Sequence, residues 1–508
     1  MGARLLKLPL IVLVMGVGAA AMMVPAAHAL AINDHHVARA FFYFSILFLI
    51  LFVLIGIATS NYRIRRRSRS HLIALVVTFT VLPAMLAVPF YEAVRTTSYL
   101  NSYVEMVSSL TTTGATLFGP ERLPPSVHLW RALVGWMGGF FIWLTAVAIL
   151  APLNLGGFEV RMGATIGRGT APGLQAASTA AFGEGADRLV RFAAKFFPVY
   201  LSLTVLLWGA LIIIGETPLA ALCHAMSTLA TSGISPSGGL TESDAGFAGE
   251  AVIFIFLIFA LSRLTFAVDE RPEGWRSLWR DPELRLGLLL VCTLPVLLVL
   301  RHWLAAFDVA TERNVAAVMQ AFWGGAFTVM SFLTTTGFES ASWEGARTWS
   351  GLQSPGLILM GLAVFGGGVA TTAGGVKLLR VYALYKHGMR EMEKLVHPSS
   401  IGGAGQIARR IRREGALVAW VFFMLFAISI AVIMAVFALT GIDFENALVL
   451  TIAALTTTGP LIEVAGEEPI RLVQLSETAR LIFAAAMVVG RLETLAIIAL
   501  LNPDLWRN

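Results

Sequence analysis

Four short runs constrain this chain more than any other feature. They are Ser109-Leu110-Thr111-Thr112-Thr113-Gly114-Ala115, Thr228-Leu229-Ala230-Thr231-Ser232-Gly233-Ile234, Phe332-Leu333-Thr334-Thr335-Thr336-Gly337-Phe338 and Ala454-Leu455-Thr456-Thr457-Thr458-Gly459-Pro460. Each is hydroxyl-rich, ends in glycine and sits between apolar stretches. Their glycines are 119, 104 and 122 residues apart. Such even recurrence marks an internal repeat, so one supersecondary unit is expected four times over.

The runs are set in a membrane protein. Of the 508 residues 57% are hydrophobic and 13% charged, against about 25% charged in soluble domains. The apolar spans are near-continuous rather than alternating, which points to a helical bundle and not a barrel. The formal charge of +6 does not indicate nucleic acid, because the basic residues fall in loops beside spans, where they set topology. Cys223 and Cys292 both lie in apolar segments, which excludes a disulfide framework and a CxxC metal site; the nine histidines show no ligand spacing.

The first 29 residues read either as a signal peptide, with Arg4, Lys7 and Ala27-His28-Ala29, or as a retained helix starting at Pro9. A second span, near Val37–Ser60, ends in the basic loop 61–69, which the positive-inside rule places in the cytoplasm. A third, near Leu72–Phe90, runs outward and carries Pro83 and Pro89. Tyr99–Leu110 is too short to cross about 30 Å of hydrocarbon; it enters the first run, and a span from His128 to Ala151 returns inward. The same unit recurs with spans near Phe192–Ile214 and Ala251–Val268, Leu284–Trp303 and Leu357–Tyr385, and Leu417–Leu439 and Arg480–Leu501. The expected fold is an all-α integral membrane protein of about ten transmembrane helices. Two leading helices (1–67) precede four pseudo-symmetric helix–pore loop–helix repeats at 68–165, 190–270, 284–388 and 412–502. Basic residues support this alternation. The cytoplasmic loops hold Arg161, Arg168, Arg188, Arg271, Arg276, Arg280, Lys386, Arg390, Lys394, Arg409, Arg410, Arg412 and Arg413, the outer ones only sparse basic residues such as Arg122, Arg313, Arg347 and Arg471. All four runs therefore approach from the outer face.

Non-helical backbone lies at membrane depth only when buried in protein or lining a watery cavity. A half-length helix carries partial negative charge at its C-terminal end, and a following glycine permits φ > 0. Four such strands supply rings of oxygens that replace an ion's hydration shell. The residues expected to do so are Thr112, Thr113 and Gly114; Thr231, Ser232 and Gly233; Thr335, Thr336 and Gly337; and Thr457, Thr458 and Gly459. Neutral oxygens suit a monovalent cation better than Ca²⁺ or Mg²⁺, which favour carboxylates. One run alone reads as helix packing; four at even spacing do not.

Gly366-Gly367-Gly368-Val369-Ala370-Thr371-Thr372-Ala373-Gly374-Gly375 breaks the inward span of repeat three. It is not a phosphate loop, since Val376 separates it from Lys377 and no hydroxyl follows. It reads as a mobile element beneath the filter or as a surface for close helix packing. Arg491 lies deep in the last span, where ionisable residues are functional by default. Pairing with Glu493 is disfavoured at i,i+2, and pairing with Glu105 or another acid stays open. Glu105, in the first short helix, adds negative potential near the filter or hydrogen-bonds neighbouring loops. His224 is expected to pack, and Lys377 and Arg380 to snorkel to the cytoplasmic surface.

With Gly135-Trp136-Met137-Gly138-Gly139, the glycine-rich break through Lys377, Val396-His397-Pro398 and Gly490-Arg491-Leu492-Glu493, the chain resembles the TrkH/KtrB family of potassium uptake proteins, the TrkH branch in particular, over essentially its whole length. The resemblance implies K⁺ as the transported ion, no organic cofactor, a multi-pass location in the bacterial cytoplasmic membrane and a retained first helix. It also implies a homodimer with a cytoplasmic, nucleotide-binding TrkA-type regulatory subunit. It makes Gly366–Gly375 an intramembrane gating loop, with Lys377 at its end, and puts Arg491 in the pore below the filter. Two departures stand out: the fourth run is Thr-Thr-Thr-Gly, where the family is usually less threonine-rich, and Glu339 follows the third. A Na⁺-permeable or weakly selective transporter is the nearer alternative. A membrane-embedded receptor or enzyme is the distant one, and no nucleophile–base set supports an enzyme.

Overall fold

The computed structural model describes residues 8–59, 67–150, 185–262, 279, 281–305, 315–351, 355–397, 406–466 and 468–492. Arg4, Lys7, the basic residues at 61–66, Arg161, Arg168, Arg271, Arg276, Arg280, Arg313, Pro398 and Glu493 lie outside the described residues. Among the described residues every regular element is a helix.

The first span is two helices in sequence, α1 (Leu10–Ala21) and α2 (Met23–Ala31), followed by α3 (His35–Thr59) and α4 (Arg67–Val94). Small residues let them approach closely: the Ser45 hydroxyl donates to the Ala19 carbonyl at 2.7 Å, and both residues are fully buried. His28 Nδ1 bonds Ser126 Oγ at 2.8 Å, tying the first span to the first repeat. The far side of α3 exposes Tyr43, Leu47, Ile50, Leu54 and Ile57. Lipid is the solvent that such a face suits.

Among the described residues, eight helices are long and apolar enough to cross a membrane. Seven match expected spans. The eighth, Val315–Leu333, is the short helix of repeat three, which runs to 19 residues where its counterparts have 12 or 13. Its added turns are largely exposed, and burial becomes continuous only over its last ten residues. The inward helix of repeat one, α6 (Pro125–Thr145), stands at the centre of the bundle and is buried almost throughout. The inward helices of the other repeats are shorter among the described residues. They are α9 (Gly246–Leu257), the interrupted pair α13 (Pro355–Phe365) and α14 (Leu378–Val396), and α18 (Glu477–Leu492). The outward helices are α4, α7 (Gly185–Ile214), α10 (Pro282–Ala305) and α15 (Gln406–Ala438).

The four short pore helices are α5 (Tyr99–Leu110), α8 (Pro218–Ala230), α11 (Val315–Leu333) and α16 (Phe444–Leu455). Their starts carry ordinary helix signals. Ser98 accepts the Asn101 N–H at 3.2 Å and Asp443 that of Asn446 at 3.1 Å, while Pro218 opens α8. Each ends in the buried interior, at its hydroxyl-rich run. Helix α12 (Trp343–Ser350) follows the third run and the single-turn α17 (Leu461–Val464) the fourth.

Candidate functional site

All four runs leave their pore helices by the same backbone path. The amides of Thr113, Ser232, Thr336 and Thr458 return to the carbonyls of Ser108, Ser227, Ser331 and Ala453, each at 2.9 Å. The residue before each of these amides is a threonine in the left-handed region: Thr112, Thr231, Thr335 and Thr457, at φ of 55°, 51°, 57° and 54°. A β-branched residue is strained there, at a cost on the order of 1 kcal/mol or more each. Four copies persist because each strand is wedged against the next. A Cβ on Gly114 would meet the Ser232 carbonyl, one on Gly233 the Thr336 carbonyl, one on Gly337 Pro460, and one on Gly459 Ala115 and the Thr113 carbonyl. Repeats one to four thus close a ring in chain order, with the Thr113, Ser232 and Thr336 carbonyl oxygens converging on it. Above it, all four glycines line one cavity of about 80 Å³.

One expectation needs correction. Gly114, Gly233 and Gly337 have positive φ, but Gly459 does not. Its strand turns through right-handed Pro460 into α17, and its amide donates to the Thr113 carbonyl at 2.6 Å. Gly459 is required there for close approach, not for φ. Most hydroxyls of the runs are engaged within their own repeat. Thr113, Thr336 and Thr458 bond back to Thr111, Thr334 and Thr456 at 2.8, 3.1 and 3.2 Å, and Ser232 to Ser227 at 3.1 Å. The left-handed threonines differ: Thr112 and Thr457 have buried hydroxyls without a partner among the described residues.

The glycine-rich break sits directly under this ring. The Gly374 N–H donates to Thr335 Oγ1 at 2.7 Å, Thr231 Oγ1 to Thr372 Oγ1 at 3.2 Å, and Thr372 Oγ1 to the Leu229 carbonyl at 3.1 Å. A Cβ on Gly374 would collide with the Thr456 carbonyl and the Thr457 hydroxyl. The segment therefore touches repeats two, three and four at once. Its other end is held by the Gly368 N–H to the Ala260 carbonyl at 2.9 Å and the Val369 N–H to Glu283 at 2.8 Å. Arg491, buried in α18, donates from Nη1 to the Thr372 carbonyl at 2.7 Å, beside a cavity of about 30 Å³ that Lys377 also lines.

Lys377 and Arg380 do not snorkel. Both are buried: the Lys377 ammonium donates to the Ala373 carbonyl, and the Arg380 guanidinium bonds the Val376 carbonyl at 3.1 Å and lies 3.6 Å over the Phe422 ring. The break between α13 and α14 starts the second helix inside the bundle, where Phe422 of α15 covers Arg380 and Lys377 lies beside Ile142 and Arg491. Glu105 pairs not with Arg491 but with Arg131 of α6 at 2.6 Å, both nearly inaccessible, and also accepts the Leu117 N–H at 2.9 Å.

At the outer mouth, Glu339, Glu463 and Arg131 line the cavity above the glycines. Burial, then the charges of Glu463 and Glu344, push the Glu339 carboxyl up to about 7, with Arg347 opposing. Burial likewise raises Glu463. Several contacting residues were not singled out from the sequence. Arg131, Glu250 and Glu283 carried no motif signal; only a charge inside an apolar span marked Arg131.

A closed ring of four pore-loop strands in an all-helical span bundle defines a membrane protein built around one central pathway. The chain matches the model of the family described as "TrkH: Cation transport protein" over residues 200–505. It is 31% identical over 448 residues to the Trk system potassium uptake protein TrkH of Salmonella typhimurium, covering 87% of each chain, and 30% identical, at the same coverage, to that of Escherichia coli K12. The crystal structure of the potassium transporter TrkH from Vibrio parahaemolyticus superposes with a TM-score of 0.80 at 26% identity, covering 100% of both chains. The chain belongs to the TrkH family.

Proposed function

We propose that this chain carries K⁺ inward across the cytoplasmic membrane through the four-strand ring, as the membrane component of a Trk-type system. The closure of four equivalent strands, with their carbonyls converging beneath one cavity, carries this reading. Such a ring replaces a hydration shell at little reorganisation cost. The ion would be bound by the backbone of Thr112–Gly114, Thr231–Gly233, Thr335–Gly337 and Thr457–Gly459. The strand 366–375 blocks the exit below it, locked by Arg491 and ending at Lys377. The relatives' names support a multi-component system; a homodimer and a nucleotide-binding TrkA-type subunit complete the proposal, as do repeat limits at 68–165, 190–270, 284–388 and 412–502. The ion itself is substrate, and no resident cofactor is required.

Expression with its regulatory subunit in a host lacking K⁺ uptake is expected to restore growth at low K⁺ and to confer Rb⁺ uptake that excess Na⁺ barely inhibits. No growth and no Rb⁺ uptake would sink the reading; uptake inhibited equally by Na⁺ would favour the weakly selective alternative, for which Glu339 beside the filter is the supporting observation.

Glu339 also makes uptake sensitive to outside pH. Above about 7 the carboxylate is ionised and attracts cations to the mouth; below it the group is neutral and the attraction is lost. Lowering external pH from about 8 to about 6 is expected to reduce Rb⁺ uptake at subsaturating Rb⁺ by about threefold, in keeping with one charge at a partly screened mouth. Glu339→Gln should flatten that profile. An unchanged profile in the variant assigns the pH response elsewhere.

A further inference from the structure

Nine residues before the filter glycines stand Glu105, His224, Thr328 and Leu450. They occupy one register in the four pore helices, about one turn before the run. The first three are polar and fully buried. Each is bonded to the strand that leaves its own filter run. Glu105 accepts the Leu117 N–H at 2.9 Å, His224 Nε2 and Ser235 Oγ are hydrogen-bonded at 2.9 Å, and Thr328 Oγ1 accepts the Ser340 N–H at 3.3 Å. The partner lies two or three residues past the glycine in every case. Leu450 has no polar group to offer, and its strand leaves instead as α17.

Each tether is itself held. Arg131 grips Glu105 at 2.6 Å. The Ser340 hydroxyl donates to Glu250 at 2.7 Å, and Glu250 also accepts the Ala341 N–H at 2.6 Å and the Trp323 indole N–H at 2.7 Å. Glu250 belongs to α9, so repeat two braces the filter strand of repeat three. The His224 ring stands edge-on to Phe338, the residue after Gly337, with centroids 5.9 Å apart. None of these groups touches the ring of carbonyls. They grip the two ends of the loop that carries it.

We propose that this pore-helix register is a positioning site for ion discrimination: Glu105, His224 and Thr328 hold the outer ends of three filter strands at fixed spacing, a tether that the fourth strand, held instead by the Gly459 amide on the Thr113 carbonyl, lacks. The physical reason is that a carbonyl ring discriminates against a smaller ion only while its strands resist closing around it. A hydrogen bond from the helix to the exit strand supplies that resistance without occupying a carbonyl. The inference rests on the ring being the filter.

The test uses Rb⁺ uptake by cells expressing the full chain with its regulatory subunit, read as the ratio of the Na⁺ inhibition constant to the apparent KM for Rb⁺. This ratio does not depend on how much protein reaches the membrane. Thr328→Val and His224→Phe are each expected to lower it by about fivefold, the factor one neutral hydrogen bond supplies. Thr328→Ser and His224→Gln, which keep a hydrogen-bonding group, should retain it, and Leu450→Met should leave it unchanged. If a Val or Phe variant does not reach the membrane, the conservative pair decides. Discrimination lost in Thr328→Ser and His224→Gln, or equally in Leu450→Met, overturns the proposal as a packing effect, as do unchanged ratios in Thr328→Val and His224→Phe. A wild-type chain with no Rb⁺ uptake at all would instead overturn the transport reading itself.

Discussion

Gly233→Val is expected to abolish discriminating Rb⁺ uptake while the protein still inserts in the membrane. Gly233 has φ of +65° and follows left-handed Thr231 by two residues, so the backbone of this strand already holds strain. A side chain there would meet the Thr336 carbonyl of the next repeat and lie 2.9 Å from Pro460 Cγ of the fourth. The left-handed penalty and overpacking together amount to about 2–5 kcal/mol, which the strand can relieve only by moving its carbonyls. A shift of that size exceeds what separates ions of similar radius. Uptake of Rb⁺ against Na⁺, normalised to protein found in the membrane, is the measurement; wild-type discrimination in the variant would remove Gly233 from the ion path.

Arg491→Ala should produce the largest effect in the opposite direction. The guanidinium is buried, bonded to the Thr372 carbonyl and placed beside the cavity under the glycine-rich segment. It therefore acts twice. Its charge opposes a cation leaving the filter, by an energy of about 4 kcal/mol at 4 Å in a partly polar interior, and its hydrogen bond holds Thr372 beneath Thr231 and the Leu229 carbonyl. Removal is expected to raise basal Rb⁺ flux, measured without the regulatory subunit, by at least about tenfold, since even a fraction of that barrier corresponds to one decade. Arg491→Lys keeps the charge but not the fork and should fall between the two. A variant that expresses poorly and conducts no faster would mean that Arg491 is a structural anchor only.

Much of this molecule was legible before any coordinates. Span lengths, the half-length helix at Tyr99–Leu110, the glycine at each run and the break at Gly366–Gly375 follow from local properties: residue hydropathy, helix reach and the conformations a glycine can hold. Local properties persist wherever the segment is placed. The third pore helix departed because Val315–Phe322 continues the helix outward beyond the ring, where hydropathy alone sees only apolar residues. The burial of Arg380 departed because its cover comes from Phe422, more than forty positions later in the chain, and that of Lys377 because it lies beside Ile142 and Arg491.

By itself, the sequence determined that four hydroxyl–glycine runs would each follow a helix ending inside a membrane bundle, for repetition and hydropathy are properties of the chain. Only the tertiary structure decided how those strands meet. It put each glycine against the next repeat, assigned Glu105 to Arg131 rather than to Arg491, set Glu250 of one repeat to brace another, and gave Gly459 a role in close approach rather than in turning. The physical reason is that carboxylates, arginines and glycines in apolar spans are alike to any local rule. Which partner satisfies a buried charge, or which backbone a missing side chain admits, is settled by helix packing between residues far apart in sequence.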